Sequence, residues 1–303
     1  MTRPTIAAVL PTYNRAHLLP DALESVLSQE RPPDEIIVVD DGSTDETQEV
    51  LARYEGIRTI RQENGGASSS RNTGVKAARS EWIAFQDSDD AWQPGHLAVL
   101  ERAVIETSGQ APVYASNLRL SPGAGGGKVF TKASLHVSAP YLFVLDGRSI
   151  VLRDHLPVML QASLIRRKAF LEIGGLDLNT PTRHDTLLFI KLGIGAPLCL
   201  CPELGTIMGG DDAADRLTNN ARGSESYERE TVYMYENILE SCSLAADEEA
   251  IVKHRIAAAQ RNLGRIAWDA GRQGNALAHL GRSLLASPRV LLRTALKRSR
   301  RAS

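Results

Sequence analysis

The first ninety residues alternate between short apolar runs and stretches with helical spacing of apolar residues, and this alternation limits the possible folds more than any other feature. The apolar runs predict four strands, at residues 5–10, 36–39, 57–61 and 82–86. Helices are predicted at about 18–27, 44–54 and 68–78, and from Pro94 onward. Each helix returns the chain to the same edge of the sheet, so successive strands pair in parallel. The sequence therefore predicts an α/β fold with a mainly parallel sheet.

A glycine-rich stretch follows a further predicted strand at residues 113–120. This stretch, residues 121–128, resembles a phosphate-binding loop only superficially. Pro122 stands where the first glycine is required, and Val129 stands where Ser or Thr is required. We therefore interpret residues 121–128 as the tip of a hairpin.

From about residue 223 the chain has helical spacing throughout. Eight positions fit one ~34-residue helix-turn-helix repeat of the tetratricopeptide type, namely Leu263, Gly264, Ala267, Gly271, Ala276, Leu280, Ser283 and Pro288. A single repeat cannot bury its apolar face alone, so it must pack on another helix or on a partner. We expect two domains, an α/β domain at residues 1–222 and an α-helical region at residues 223–303.

The overall charge is nearly balanced, with 35 Lys and Arg against 36 Asp and Glu, and it favours no nucleic-acid partner. Three cysteines are too few for a disulfide framework and indicate a reducing compartment. No apolar run approaches the ~20 residues that are needed to span a bilayer. We expect a soluble, cytoplasmic protein.

The C-terminal tail is strongly basic. Its cations are Arg289, Arg293, Lys297, Arg298, Arg300 and Arg301, with no acid among them. One interpretation is a segment that lies on anionic lipid at the inner face of the membrane, which would suit a lipid-linked acceptor. The other is a solvated tail. Both interpretations stay open at the level of sequence.

Acidic residues directly follow two of the predicted strands. Residues 40–41, both Asp, end the second strand, and residues 87–90, Asp-Ser-Asp-Asp, follow the fourth. Ligands of open parallel sheets bind beyond the carboxyl ends of the strands, so these acids are expected in the binding crevice. Carboxylates this close repel one another unless a cation lies among them, and such oxygen ligands suit Mg²⁺ or Mn²⁺. The structural alternatives are a helix cap at residues 43–46 and a solvated acidic turn.

Two more polar motifs lie between these acids, Asn64-Gly65-Gly66 and Arg71-Asn72-Thr73-Gly74. Glycines let the backbone approach a ligand closely, and the planar fork of an arginine binds a carbonyl or a phosphate. Either motif alone is equally typical of an ordinary surface turn.

The order of the motifs is specific where each motif alone is not. Residues 11–15 (Pro-Thr-Tyr-Asn-Arg) come first, followed by residues 40–43, residues 64–74 and residues 87–92. Over about residues 5–215 this series resembles the family 2 glycosyltransferases. The resemblance implies a GT-A nucleotide-diphospho-sugar transferase fold with a Rossmann-like sheet, here with a C-terminal helical extension. It also implies sugar transfer with inversion of the anomeric centre.

The resemblance further implies roles for the motif residues. Asp41 and Arg71 match the residues beside the pyrimidine base of the donor. The Asp-x-Asp pair, Asp87 and Asp89, matches the acids that hold the ribose and the metal-bridged diphosphate. Asp89 would be the direct ligand of Mn²⁺ or Mg²⁺. The nucleotide-binding residues that it implies are Pro11, Thr12, Tyr13, Asp41, Asn64, Arg71 and Asp87.

Asp185 matches the catalytic base of the family. Family members usually carry Glu-Asp at this point, whereas here His184 replaces the glutamate. The alternative for Asp185 is an acid that only favours the N-terminus of its helix, and Asp177 is the second candidate base. The family also implies a lid, here at residues 208–218, in which Arg216 is the candidate contact to the diphosphate.

We therefore expect an inverting glycosyltransferase that moves a sugar from a nucleotide-diphosphate donor, preferably a UDP-sugar, to a hydroxyl of a saccharide or lipid-linked acceptor. Such an enzyme would act in surface polysaccharide or glycoconjugate synthesis. A dehydrogenase is excluded, because residues 11–15 do not supply Gly-x-Gly-x-x-Gly after the first strand. The alternative that stays open is a catalytically degenerate domain that serves as a nucleotide-binding or scaffold module through its helical C-terminus.

Overall fold

The computed structural model describes residues 3–209 and 223–287. The chain divides into two compact units, one that ends at Ala213 and one that begins at Ala214. The expected boundary between residues 222 and 223 remains a prediction, because residues 210–222 lie outside the described ranges. The basic tail, residues 289–303, lies outside them as well.

The described part of the first unit contains one mixed sheet of nine strands. They are β1 (Ile6–Thr12), β2 (Glu35–Asp40), β3 (Arg58–Arg61), β4 (Trp82–Phe85), β5 (Asp90–Trp92), β6 (Val113–Arg119), β7 (Leu142–Val144), β8 (Ser163–Arg166) and β9 (Leu198–Met208). Their order is β3-β2-β1-β4-β8-β6-β9-β5, and β7 also pairs with β9. β1 to β4 pair in parallel, as do β6 and β9, whereas β5, β7 and β8 run antiparallel to their neighbours. The predicted α/β class with a mainly parallel sheet is confirmed.

Helices cover the sheet. In the described part of this unit they are α1 (Leu19–Leu27), α2 (Thr47–Leu51), α3 (Gly66–Ala77), α4 (His96–Glu106), α5 (Val129–Lys132), α6 (Arg148–Val151), α7 (Arg167–Glu172) and α8 (His184–Gly193). Alternate residues of β1 point to opposite faces of the sheet. Ile6 and Leu10 therefore pack with α1 and α4 in one core, whereas Val9 faces α3.

α3 lies close to the sheet at Gly74. A Cβ atom at this position would lie 2.4 Å from Cγ1 of Val9, so a larger side chain would push α3 away from β1. Arg71 lies three residues earlier on the same helix and contacts Asp87, which follows β4. The glycine of the Arg71-Asn72-x-Gly74 motif thus allows the helix to hold its arginine beside the end of β4.

Two predicted helix starts are wrong. α2 begins at Thr47 rather than at Thr44, because the Thr44 amide donates a hydrogen bond at 2.7 Å to the side chain of Asn14 on the preceding loop. α4 begins at His96, so Pro94 precedes the helix instead of opening it. The Pro94 carbonyl is engaged outside the helix, where it accepts a hydrogen bond at 2.9 Å from a backbone amide between α1 and β2.

The glycine-rich residues 121–128 reverse the direction of the chain. Arg119 and Lys128 pair as an antiparallel bridge across this stretch. The Leu120 amide also donates a hydrogen bond to the Gly127 carbonyl at 2.8 Å. The predicted hairpin tip is confirmed.

Three helices form the described part of the second unit, α9 (Glu225–Ser241), α10 (Ala246–Asp269) and α11 (Gln273–Ala286). α10 and α11 pack closely at Gly264, where an added Cβ would lie 3.3 Å from the carbonyl oxygen of Ala276. Ser283 on α11 also bonds to the Ala257 carbonyl on α10 at 2.8 Å. The helix pair is present, and its assignment to the tetratricopeptide type stays a prediction, because Pro288 lies outside the described residues. None of the described helices has the length and apolar character that a bilayer-spanning helix needs.

His96 is buried at the start of α4, with 1% of its surface exposed. Its Nδ1 lies 3.2 Å from Oγ of Ser116, and its Nε2 has no hydrogen-bond partner among the described residues. Burial lowers the pKa of His96 to about 3. The folded protein therefore keeps this ring neutral throughout the neutral and mildly acidic range.

We expect mild acid to destabilise the protein through His96. In the unfolded chain a histidine gains its proton near pH ~6.5, whereas the folded protein resists protonation until about pH 3. Folding stability therefore falls as the pH drops between these two values. Between pH 7 and pH 5 the contribution of His96 is a loss of about 2 kcal/mol, which His96→Leu removes. Urea unfolding of both proteins at both pH values checks this, and the same pH dependence in the two would contradict it.

Candidate active site

The loops after β1 and β2 are tied to each other by hydrogen bonds. Asn14 has a φ of 51°, a conformation that asparagine tolerates better than most residues. Its backbone amide donates a hydrogen bond to Oγ of Ser43 at 2.9 Å. Its side-chain oxygen accepts from the Thr44 amide at 2.7 Å. Of residues 11–13, which the resemblance assigns to the nucleoside, the first two are buried and Tyr13 is 46% exposed. The two loops thus form one connected wall at the carboxyl edge of the sheet.

The adjacent aspartates at the end of β2 have different partners. Asp40 is fully buried and accepts hydrogen bonds from within the β2 loop and from α2, so it has a structural role. Asp41 accepts hydrogen bonds from the Gly65 and Gly66 amides at 3.0 and 2.7 Å and from the Gln62 side chain at 2.7 Å. These three bonds order the loop at residues 62–66, which we call the glycine loop. A carboxylate has about four acceptor positions, so Asp41 can still accept one more hydrogen bond.

Arg71 is a buried cation, with 7% of its side chain exposed. Its Nη2 contacts Oδ1 of Asp87, and its Nη1 lies 3.3 Å from Nε2 of His184. The guanidinium thereby joins α3 to the residues after β4 and to the start of α8.

Asp87, Asp89 and Asp90 form an acidic cluster in which one carboxylate oxygen from each lies within 4.8 Å of the others. Asp90 is buried and has both oxygens occupied, by the Gly209 amide at 3.0 Å and by Nε2 of Gln161 at 2.8 Å. Asp90 therefore fixes β5 and the end of β9. Its occupied oxygens fit a structural role better than the binding of a ligand.

The other two acids of the cluster are partly exposed and face arginines. Asp87 contacts Arg71, and Oδ2 of Asp89 lies 3.3 Å from Nη1 of Arg15. The two guanidinium groups offset part of the repulsion between the carboxylates. Carboxylate oxygens at these separations are hard ligands of the kind that Mg²⁺ and Mn²⁺ prefer. Asp87 and Asp89 therefore fit a divalent cation.

Buried polar atoms on β1 and α3 lack hydrogen-bond partners among the described residues. They include Oγ1 of Thr12, Oγ of Ser68 and Nε of Arg71. An unpaired buried polar atom costs about 1–3 kcal/mol, so proteins keep such atoms mainly where something else pairs with them. The resemblance assigns Thr12 and Arg71 to the nucleotide. Ser68 carries no such signal, because a serine early in a helix is unremarkable in sequence. Asn64 is exposed just before the glycines that bond Asp41.

Asp185 is the second residue of α8 and is partly exposed. Asn72 on α3 holds the loop that leads toward α8, since its side chain donates to the Leu176 carbonyl at 2.8 Å and accepts from the Leu176 amide at 2.9 Å. The residue before Asp185 is His184, which contacts Arg71. The chain thus brings the start of α8 to the same cluster of residues as the acids after β4.

The two remaining candidates, Asp177 and the lid, stay predictions. Asp177 bonds within its own turn, where Oδ1 accepts from the Asn179 amide at 2.8 Å. In the proposed lid, Met208 ends β9 and Gly209 follows it, and residues 210–218 with Arg216 lie outside the described residues.

Besides Ser68, two residues of the site were not predicted from the sequence. Arg15 belongs to the Pro-Thr-Tyr-Asn-Arg motif, but nothing in the motif indicated its contact with Asp89. Gln161 carries no sequence signal at all. Its carbonyl accepts hydrogen bonds from Nε1 of Trp92 and Oγ1 of Thr206, both at 2.8 Å, while its side chain holds Asp90. These bonds explain why a tryptophan follows the acidic motif.

Both comparisons with known sequences point to glycosyltransferases. The sequence profile described as glycosyl transferase family 2 matches residues 7–115, which contain all four motifs. TuaG of Bacillus subtilis (strain 168), a glycosyltransferase provisionally assigned to teichuronic acid biosynthesis, is 38% identical over 111 residues. These residues are 35% of this chain and 44% of TuaG, so the chain spans less than half the length of this relative.

Solved structures agree on the fold. Staphylococcus aureus TarS 1–349 in complex with UDP-GlcNAc matches with a TM-score of 0.68 at 19% identity, over 93% of this chain and 81% of that one. The mannosyltransferase PcManGT from Pyrobaculum calidifontis, in complex with GDP-Man and Mn²⁺, matches with a TM-score of 0.60 at 17% identity, over 96% and 88%. At such identities the likeness bears on the fold alone. The motifs, the profile match over residues 7–115 and this fold agree, so the chain has the GT-A fold and resembles glycosyl transferase family 2.

Proposed function

We propose that this protein is an inverting, metal-dependent glycosyltransferase that moves a sugar from a UDP-sugar to an acceptor hydroxyl. The observation that carries the proposal is that Asp41, the acidic cluster and Arg71, which contacts Asp87, all lie at the carboxyl edge of β1, β2 and β4. Unpaired buried atoms of Thr12 and Arg71 lie on the elements that form this crevice. A crevice of this kind, at the ends of parallel strands, is where open α/β sheets bind their ligands.

Asp41 and Arg71 are proposed to bind the nucleotide base, with Pro11, Thr12, Tyr13 and Asn64 along the nucleoside. Asp41 has one acceptor position left after its three bonds to the glycine loop, and the N–H of a pyrimidine ring can donate to it. TarS was solved with UDP-GlcNAc, which supports a uridine donor, whereas PcManGT was solved with GDP-Man.

Asp89 is proposed to be the direct ligand of Mn²⁺ or Mg²⁺, and Asp87, which contacts Arg71, would help to hold the ribose and the diphosphate. When bound, the cation would neutralise the negative charge that develops on the departing nucleoside diphosphate. Support comes from the spacing of the carboxylates and from the Mn²⁺ in the PcManGT structure. Arg15 lies at Asp89 from the side of the β1 loop, so it adds positive charge on the same side of the crevice.

Asp185 is proposed to take the proton of the acceptor hydroxyl as the hydroxyl oxygen attacks the anomeric carbon. The attack comes from the face opposite the nucleoside diphosphate, and a single displacement inverts the configuration. An aspartate is a weak base at its ordinary pKa of ~4, so the proton is expected to move late, as the new bond forms.

The acceptor is proposed to be a saccharide or a lipid-linked sugar in surface polysaccharide synthesis. The name of TuaG supports this class of product. A lipid-linked acceptor would be reached most easily by an enzyme held at the membrane. The basic tail, with six cations and no acid after Pro288, provides the charge for such an attachment.

The rival hypothesis is a degenerate domain that binds nucleotide and serves as a scaffold. It predicts nucleotide binding without release of UDP from a sugar donor. Turnover with a panel of UDP-sugars and saccharide acceptors therefore separates the two hypotheses directly.

We expect wild-type protein to release UDP from at least one UDP-sugar in the presence of acceptor, and Asp185→Asn to lower kcat by about 10²–10⁴-fold. The amide cannot accept the proton but leaves the site's shape unchanged, so UDP affinity should stay close to that of the wild type. Asp177→Asn is the matched control and should retain turnover. Loss of activity in the control but not in Asp185→Asn would show that the base is misassigned. UDP binding with no turnover by the wild type would favour the scaffold.

We also expect the protein to bind vesicles that contain phosphatidylglycerol and not vesicles of phosphatidylcholine alone, with binding that weakens as salt rises. Replacing the six cations of residues 289–301 with serine should abolish this binding, while turnover of a soluble acceptor continues. Flotation of both proteins with both vesicle types makes the measurement. Equal flotation of the two proteins would leave the tail as a solvated segment.

A further inference from the structure

His184 sits at the start of α8, where the family usually has glutamate, and its two ring nitrogens have different partners. Nδ1 lies 2.9 Å from the Pro181 carbonyl oxygen, and Nε2 lies 3.3 Å from Nη1 of Arg71. A carbonyl only accepts hydrogen bonds, so Nδ1 must carry a proton. A guanidinium only donates, so Nε2 must be the acceptor. The contacts are therefore satisfied by one state of the ring, the neutral tautomer with its proton on Nδ1.

We propose that His184 is a positioning residue that holds the guanidinium of Arg71 in place for the donor nucleotide. This inference rests on the proposed function of the site. Arg71 is anchored at two points, by Asp87 through Nη2 and by His184 through Nη1, and its Nε has no partner among the described residues. Without His184 the fork would keep a single anchor and could rotate about it.

The charges around His184 favour the neutral ring. The pKa of His184 lies below its usual value, mainly because of burial and also because of the positive charge of Arg71. Asp185, the Pro181 carbonyl and Asp87 act in the opposite direction. A glutamate at this position would pair with Arg71 as an anion and compete with Asp87 for it. A neutral acceptor orients the guanidinium and leaves its positive charge for Asp87 and the nucleotide.

His184 also connects this anchor to the proposed base. It is the residue directly before Asp185, and its bond to Pro181 closes the turn that leads into α8. The orientation of Arg71 and the entry of α8 into the site are therefore linked through one side chain. A purely local role, in which His184 only closes the turn at Pro181, is the competing explanation.

Two variants separate these explanations. In His184→Asn the side-chain amide can replace Nδ1–H toward Pro181 but cannot reach Arg71. In His184→Gln the longer side chain can offer its oxygen to Arg71 in the place of Nε2. The positioning role predicts that His184→Asn weakens UDP affinity and raises the donor KM by about tenfold, because a hydrogen bond to a charged group is lost, whereas His184→Gln stays near the wild type. The local role predicts the reverse order, with the larger fall in Tm for His184→Gln.

Titration calorimetry with UDP in Mn²⁺, donor KM and kcat, and thermal melting are measured for all three proteins. Weaker UDP binding by His184→Asn than by His184→Gln, at similar Tm, supports the proposal. Equal UDP affinity in the two variants, or the reverse order, overturns it. If the wild type binds UDP but has no turnover, UDP affinity still tests the role of His184 while the transferase function fails. If the wild type does not bind UDP, both fail.

Discussion

The site depends on how the protein compensates the repulsion between carboxylates that lie at the ends of neighbouring strands. The parallel arrangement of β1, β2 and β4 sends the residues after all three strands to one edge of the sheet, and several of those residues are aspartates. Carboxylates gathered in this way destabilise the fold unless donors or cations compensate them. The structure meets this requirement in two ways. Asp40, Asp41 and Asp90 receive hydrogen bonds from amides, and Asp40 also lies 3.6 Å from Nε of Arg61, whereas Asp87 and Asp89 contact arginines and remain partly exposed.

This division explains how one acidic edge supports both folding and chemistry. The acids that receive amide and side-chain hydrogen bonds order the loops: Asp41 holds the glycine loop, and Asp90 holds β5 against β9. The acids after β4 that contact arginines remain partly exposed, and they are the ones proposed to serve a metal and a diphosphate. Arg71 joins the two roles, because α3 can bring it to Asp87 only while Gly74 lets that helix lie against β1.

Much of the fold and of the candidate site could be predicted from the sequence. The α/β class, the presence of the first four strands and the placement of the acids at strand ends follow from apolar periodicity and the rules for parallel sheets. The helix starts at Thr44 and Pro94 were wrong, because hydrogen bonds to Asn14 and to the segment before β2 are tertiary contacts that no local pattern encodes. Arg15, Ser68 and Gln161 were missed for the same reason. Gln161 in particular lies about seventy residues from Asp90 in sequence and meets it only because β8 enters the sheet from the carboxyl edge.

The most direct test of the account is whether nucleotide and divalent cation bind together through Asp89. Thermal unfolding of the wild type is compared with that of Asp89→Asn and of Asp21→Asn, an exposed α1 residue that serves as control, with UDP in the presence and absence of Mn²⁺. At a hundredfold excess over its dissociation constant, UDP should stabilise the wild type by about 2.7 kcal/mol in Mn²⁺ and by clearly less in EDTA. The account predicts the same metal dependence in Asp21→Asn and its loss in Asp89→Asn. Stabilisation by UDP that is indifferent to Mn²⁺, or that survives unchanged in Asp89→Asn, would contradict it.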